Sequence, residues 1–534
     1  MPVLEIKSWE GGISSFSDRG IRGAFKFASN IDIRKANDTL SCGQALKEEG
    51  LFETSHSTSP SVSQSPSLSP SSSSSQSHSP SESVSPSASP SGSASRSASK
   101  SLSPSASQSP SSSVSASLSP SAGLNNVYVD LVIAWVKATD GNIYGFGNAG
   151  NIYRRYPDGY TRNVYKDPDG AIKGAIEKPS SSGATYLQWA TNTSIKQKPL
   201  PGSSTWSDVT EIANNLTGAE WHTMKQIGGA NYIANGSKLA LVGYDDSWTN
   251  EALDLIPGNI AKTLVERNGR AVVGTFKAGY PNKGVNAMID TEVPLAQIGD
   301  DGELFFTNFT ESMPVRRFPG GGRVNPGGVT NLVDQIEIFD WVFGADSWVD
   351  KQTMGNMSLW GVFDGVIAKR GIYTYGRKNK EQPFTLNLEY SLQVDEIGAL
   401  VVTDDGTILA SYQDENDFGV KAVDSTTKAQ GLWEGLEFRA PIKRTEQITK
   451  FNYVEVFMDA LPVGCSVYFY YQKNKSGTWV QAYTADGNQA FTTTNGKKAT
   501  FRIGEEMDIY EPRVLMIPNG NETPEIYRIR TYFE

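Results

Sequence analysis

Asp140-Gly141-Asn142-Ile143-Tyr144-Gly145-Phe146-Gly147, followed by Gly150-Asn151-Ile152-Tyr153-Arg154-Arg155, is the stretch that decides the fold. A polar-glycine turn feeds a short apolar run, a second glycine turn follows, and a second short run returns. This predicts a β-hairpin with one aromatic, Tyr144 and Tyr153, at a matching place in each arm. Asn-Gly and Asp-Gly favour hairpin turns whose two central residues take positive φ. Upstream, Val127 to Val136 reads as a buried strand.

The figure recurs down the chain. It is found at Asp169-Gly170, Asn235-Gly236, Asn268-Gly269, Asp301-Gly302, Asp364-Gly365 and Asp404-Asp405-Gly406, each leading into an apolar strand. Short strands at this repeat scale, with almost no helical periodicity, point to an all-β chain and to a β-propeller of about five to seven blades ending near residue 435. The alternative is a set of β-sandwiches with similar turns. From residue 436 the texture changes. Thr449–Met458, Cys465–Tyr471, Thr478–Val480, Ala499–Ile503, Val514–Ile517 and Glu525–Arg530 form a compact set of alternating strands, which predicts a C-terminal β-sandwich over 436–534.

Between Ser55 and Ser121 every second residue is serine, with nine prolines among the intervening positions. Proline lacks an N–H and fixes φ, so a sheet ladder would be interrupted every few residues. Too little apolar surface is present to offset the entropy of ordering this backbone. The expectation is a long disordered Ser/Pro-rich insertion over 55–122. The 54 residues before it are few for an independent domain, yet Ala24–Ala28 and Asn30–Arg34 alternate as half-buried strands do, and Leu40–Leu46 reads as a third strand. Strands without a core of their own must pair elsewhere. The reading is that 1–54 supplies strands that complete the propeller, that the tract is a loop inserted into one domain, and that 123–435 carries the rest of the ring. The competing reading is an N-terminal anchor peptide on a flexible rope.

Of the 534 residues, 58 are acidic and 48 are Lys or Arg, a net charge of −10, so no basic field is available to gather nucleic-acid phosphates. Arg316-Arg317 and Arg377-Lys378 are short clusters of the kind found in solvated loops. No apolar run approaches bilayer length, and no basic-then-apolar signal opens the sequence, so membrane insertion is not expected. The two cysteines, Cys42 and Cys465, cannot make a disulfide framework or a multi-cysteine metal site, and read as small buried hydrophobes.

Three histidines, His56, His78 and His222, limit the chemistry, since two lie in the tract. A Ser-His-Asp or Cys-His arrangement would need His222, whose setting beside Trp221 reads as a packed residue. Carboxylate chemistry needs two convergent acids. Asp245-Asp246, Asp404-Asp405 and Glu505-Glu506 are sequence neighbours, which on a strand face opposite ways, and read as turn residues. Asn474 to Trp479 approaches a sialidase turn but lacks its aspartate. Asp167-Pro168-Asp169-Gly170 and Asp414-Glu415-Asn416-Asp417 resemble fragments of calcium loops without the full ligand set. Pro319 to Arg323 is glycine-rich without the lysine of a phosphate loop. The reading is a non-enzymatic chain with no catalytic residues, no cofactor-binding residues, no metal ligands and no cofactor.

Gly11-Gly12-Ile13, then Phe25, then Asn30-Ile31-Asp32-Ile33-Arg34 and Leu40 resemble the opening of tailed-bacteriophage tail and neck proteins built on β-propellers, which begin with a Gly-Gly-apolar turn and an Asn-x-Asp-x-Arg strand. The resemblance covers the whole chain in architecture and the first 50 residues in motif. It implies a virion structural protein of the tail or neck, a docking or adaptor module whose partners are other virion proteins. Two alternatives stand beside it. One is a receptor- or glycan-binding adhesin of tail-fibre type that meets a host cell-surface glycan or receptor, for which 11 Trp and 22 Tyr supply stacking surfaces. The other is a carboxylate-dependent glycoside hydrolase.

Overall fold

The computed structural model describes residues 2–9, 12–13, 24–35, 39–49, 51–53, 124–219, 222–255, 259–267, 270–277, 295–298, 304–307, 316–318, 331–332, 341–350, 355–363, 367–377, 385–439 and 449–534. Apart from one 3-10 turn at Ile367–Lys369, the regular elements among these residues are strands. The expectation for the Ser/Pro tract lies outside them, as do the turns at 268–269, 301–302 and 364–365 and the glycine-rich 319–323.

Antiparallel meanders follow one another along the chain. Four-stranded sheets are built at 132–166, 174–213, 224–254 and 295–332, a hairpin at 259–277, and four more consecutive strands at 341–391. The last sheet joins Glu396–Val402, Ile408–Asp414 and Asp417–Lys428 to Gln44–Glu49 from the far end of the sequence. The first strand of each sheet lies against the first strand of the next. The order runs Val132–Lys137, Gly174–Pro179, Met224–Ile227, Asn259–Arg267, Leu295–Ile298, Trp341–Asp350, Glu396–Val402 and back to Val132–Lys137. A circuit of inner strands that returns to its start is a propeller, and among the described residues it has seven blades. The blade at 259–277 is a two-stranded hairpin.

The turns differ from the sequence reading in type. At Ala138–Asn142, Tyr156–Tyr160, Ser180–Ala184, Thr403–Thr407 and Thr484–Asn488, the first residue's N–H donates to the fifth residue's carbonyl, and the fourth residue's N–H donates back to the first. The fourth residue is glycine each time, and it alone of the turn has positive φ, as at Gly141 (81°) and Gly406 (88°). This is a type I turn closed by a left-handed residue. The preceding aspartate serves a second purpose. Asp140, Asp158 and Asp405 each accept the N–H two residues on through Oδ1. The Asp-Gly pair thus combines a side-chain acceptor with a residue that bears no Cβ.

Two further readings change. Tyr144 and Tyr153 are one residue out of register: Tyr144 lies opposite Arg154 and Tyr153 opposite Gly145. Alternation across the pleat sends them to opposite faces of the blade. Tyr144 packs edge-on against Trp206 at 6.2 Å, and Tyr153 against Tyr128 at 4.8 Å. The strand expected over 127–136 is only Val132–Lys137. Upstream of it, the buried Asp130 carboxylate accepts Ala149 N, Asn151 N, Asn151 Nδ2 and Tyr153 Oη at 2.5–3.3 Å, which holds that segment in a cap over the neighbouring loop.

The C-terminal strands pack as a two-layered sandwich. In one sheet Thr449–Met458 lies between Lys498–Met507 and Glu525–Phe533. In the other, Ser466–Lys473 pairs with Trp479–Thr484 and Ile509–Ile517, and Gly431–Glu434 continues that sheet. The N-terminal segment serves both domains. Val3–Ile6 and Thr39–Cys42 pair with Glu525–Phe533, Ile31–Lys35 pairs with Thr39–Cys42, and Phe27–Ser29 pairs with Gly431–Glu434. Trp9, Phe25, Ile31, Ile33, Leu40 and Cys42 are buried in one core with Val454, Phe469, Phe501 and Ile529. Of the 1–54 segment, then, Gln44–Glu49 completes a blade, Val3–Ile6, Ile31–Lys35 and Thr39–Cys42 extend the sandwich, and Phe27–Ser29 bridges the two by pairing with both Gly431–Glu434 and Leu388 of the 341–391 blade. The run read as one strand over 40–46 divides at Gly43, whose N–H donates to Asn30 O and whose carbonyl accepts Ala429 N. Leu51–Glu53 pairs with Leu124–Asn126.

Candidate functional site

Of the titratable groups singled out in the sequence, His56 and His78 lie outside the described residues, and several of the others fasten one blade to the next. His222 is fully buried, with Nδ1 2.8 Å from Ala234 O and Nε2 3.1 Å from Asn192 O, so it bridges the blades at 224–254 and 174–213. Burial holds its pKa below the ordinary value, against the pull of the two carbonyls. Both partners of its ring nitrogens are backbone carbonyls, and neither bond involves a Ser or Cys side chain.

Asp167 and Asp169, read as a calcium-loop fragment, face a lysine. Lys196 Nζ lies 2.6 Å from Asp167 Oδ1 and 2.8 Å from Asp169 Oδ2, while Trp189 Nε1 donates to Asp167 Oδ2 at 2.6 Å. The ammonium stands where a cation would, and its hydrogen bond holds Asp169 below the usual carboxylate range. Asp246 binds the fully buried Lys178 of the previous blade at 2.6 Å and accepts Ser180 Oγ at 2.7 Å, whereas its neighbour Asp245 caps Ser247. Asp405 caps Thr407 in its turn, and Asp404 is exposed, 3.8 Å from Lys137. Glu505 pairs with Lys473 at 3.3 Å. The run at 414–417 is a tight hairpin with Glu415 at positive φ. Asn474 and Lys475 form a turn whose Asn474 Oδ1 accepts Asp508 N and Ile509 N, and Trp479 stacks under Arg513 at 3.8 Å. No group of three or more His, Cys, Asp or Glu placed to hold a metal is found among the described residues. Cys42 and Cys465 are both buried and free, and burial pushes the Cys42 thiol up to about 11.

The ring closes through Gln44–Glu49. Within its blade, Glu48 pairs with Lys421 and accepts Tyr412 Oη at 3.0 Å. Across to the blade at 132–166, Glu49 Oε1 accepts Arg155 Nη2 at 2.8 Å and Nε at 3.1 Å. Ser411 Oγ donates to Val132 O and Trp135 Nε1 to Ala399 O across the same seam.

The sandwich carries an arrangement that sequence reading missed. Along Thr449–Met458, Val454, Val456 and Met458 point into the core and Tyr453, Glu455 and Phe457 point out. Register then sets three outward rows. One runs Tyr483, Arg502, Tyr453, Tyr532, Val3 across five strands, ~19 Å at the usual strand spacing. The next holds Thr500, Glu455, Arg530 and Glu5, and the third Lys498, Phe457 and Arg528. Tyr453 and Tyr532 stack at 4.4 Å, and Arg528 lies over Phe457 at 4.3 Å. Both carboxylates of this face are engaged. Glu5 accepts Arg530 at 2.8 Å, and Glu455 accepts Lys498 at 2.9 Å and Tyr532 Oη at 2.8 Å. The Arg530 bond lowers the Glu5 pKa. At Glu455 burial raises the pKa, but the lysine and tyrosine bonds outweigh it.

No protein-family model matches the chain, and no curated protein matches its sequence. Solved structures similar to it include a streptogramin B lyase (13% identity over 56% of this chain and 95% of that one, TM-score 0.39). The virginiamycin B lyase of Staphylococcus aureus is 13% identical over 55% of this chain and 80% of that one (TM-score 0.28). The Dos1 propeller is 10% identical over 53% and 76% (TM-score 0.33). The propeller assignment stands on the strand pairing described above.

Proposed function

We propose that this chain is a non-enzymatic structural protein of a phage virion, in the tail or neck, acting as a docking or adaptor module for other virion proteins. One observation supports it above the rest. The buried acids, lysines and histidine among the described residues, from Asp130 and Asp167 to Lys178, Lys196 and His222, are partnered within the fold and serve to seal it. A body whose polar groups are turned inward to fasten blade to blade suits load-bearing better than turnover. The N-terminal resemblance supplies the viral context.

The test is mass spectrometry of purified virions with immunogold labelling to place the protein on the particle. Particles lacking it, together with depolymerisation of a polysaccharide by the free protein, would sink the proposal. A second reading, a receptor- or glycan-binding adhesin, is favoured by the outward aromatic rows of the sandwich. A carboxylate hydrolase is the third reading, and none of the observations described above favours it.

A further inference from the structure

We propose that the outward face of the sandwich sheet, centred on Tyr483, Arg502, Tyr453 and Tyr532, is a binding site for an acidic polysaccharide. Three features converge on that ligand. The first is shape. The row is a shallow ribbon on rigid strands, and a pyranose ring has an apolar C–H face that packs on an aromatic ring, so an extended chain can lie along ~19 Å of it. Tyr483 is 47% exposed and Arg502 is exposed, so the row is open at that end.

The second is charge. The chain as a whole has a net charge of −10, yet the three rows carry four cations, Arg502, Arg530, Arg528 and Lys498, against two carboxylates. The third is how those charges are engaged. The two carboxylates are already bound by Arg530 and Lys498. Arg502 has no ion-pair partner among the described residues, and the ion-pair contact of Arg528, which lies over the Phe457 ring, is a long one of 3.9 Å to Glu5. The surplus is therefore two guanidiniums flanked by aromatic rings, which match the planar carboxylates of a uronic or sialic acid. A neutral glycan would leave that surplus unanswered, and a protein partner would find no apolar centre between the rows, where the ion-paired row lies.

The experiment uses the full-length protein in affinity electrophoresis and calorimetry. The probes are polygalacturonate, hyaluronate and polysialic acid, with fully methyl-esterified polygalacturonate as the neutral match and oligo(dT) as a polyanion of another class. Retention by at least one acidic glycan is expected, with weaker binding at raised salt and none to the methyl ester. Arg502→Ala and Tyr483→Ala should each weaken binding about ten-fold or more. Both side chains are exposed, so the variants should melt as the wild type does, which separates loss of binding from loss of fold. The proposal is overturned by any of four results: no retention by all three acidic glycans, equal binding of the methyl ester, equal or tighter binding of oligo(dT), or unchanged affinity in both variants. Because binding is read on the isolated chain and location on the particle, this site and the virion assignment can fail independently.

Discussion

Cutting the chain inside its serine-rich tract should leave the two pieces together. A specific-protease site introduced between 90 and 100 would release residues 1 to about 95 as a separate polypeptide. That piece supplies the closing strand of a blade through Gln44–Glu49 and four strands to the sandwich layers. Its anchor is Trp9, 1% exposed and set edge-on to Trp433 at 5.1 Å. Truncating a buried tryptophan costs about 3–5 kcal/mol. With one kcal/mol of binding energy worth a factor of about five, Trp9→Ala in the cut protein should weaken retention of the N-terminal piece roughly 10²- to 10³-fold or more. The assay is native size-exclusion chromatography after cleavage, with dilution to find the concentration at which the pieces part. The cut wild type should elute as one species at micromolar concentration, and the Trp9→Ala form should separate. Release of the N-terminal piece from the cut wild type would refute the shared-segment architecture. Unchanged retention in Trp9→Ala would refute the energetic role given to that core.

Four further outcomes follow from the buried polar groups and thiols. Asp246→Asn keeps a residue that tolerates the observed φ of 65° but leaves the fully buried Lys178 ammonium without its charge partner, and should cost about 2–3 kcal/mol in denaturant unfolding. Lys178→Met should stay within about 1 kcal/mol of wild type, because removing a buried charge also removes its desolvation cost. His222 has a folded pKa below its unfolded value of ~6.5, so the unfolded state takes up the proton more readily. Its contribution is therefore complete above pH ~6.5 and declines as pH falls below that, and the urea midpoint should drop less between pH 7.5 and 5.5 in His222→Asn than in wild type. Cys42, pushed by burial to about 11, and the buried Cys465 should resist a thiol reagent at pH 8 in the native protein, with two thiols titrating once it is unfolded.

The sequence by itself determined the local grammar. Asp-Gly and Asn-Gly pairs force turns because glycine alone takes the left-handed backbone cheaply, and alternating runs such as Tyr453-Val454-Glu455-Val456 have one face that must be buried. From these the all-β class, the repeated hairpins and the closing sandwich were legible, as was the need of the first 54 residues for partners elsewhere. Tertiary structure decided what depends on pairing between distant strands. The seven blades among the described residues follow from a circuit of inner strands that returns to its start, and the spacing of turns along the chain does not encode closure. The crossing at Gly43, from sandwich to propeller, is invisible in a run that alternates on both sides of it. The row of Tyr483, Arg502, Tyr453 and Tyr532 comes from three separate strand registers, and a shift of one residue in any of them would turn its side chains inward. Local propensity is a property of neighbours in sequence, whereas a surface is made by neighbours in space.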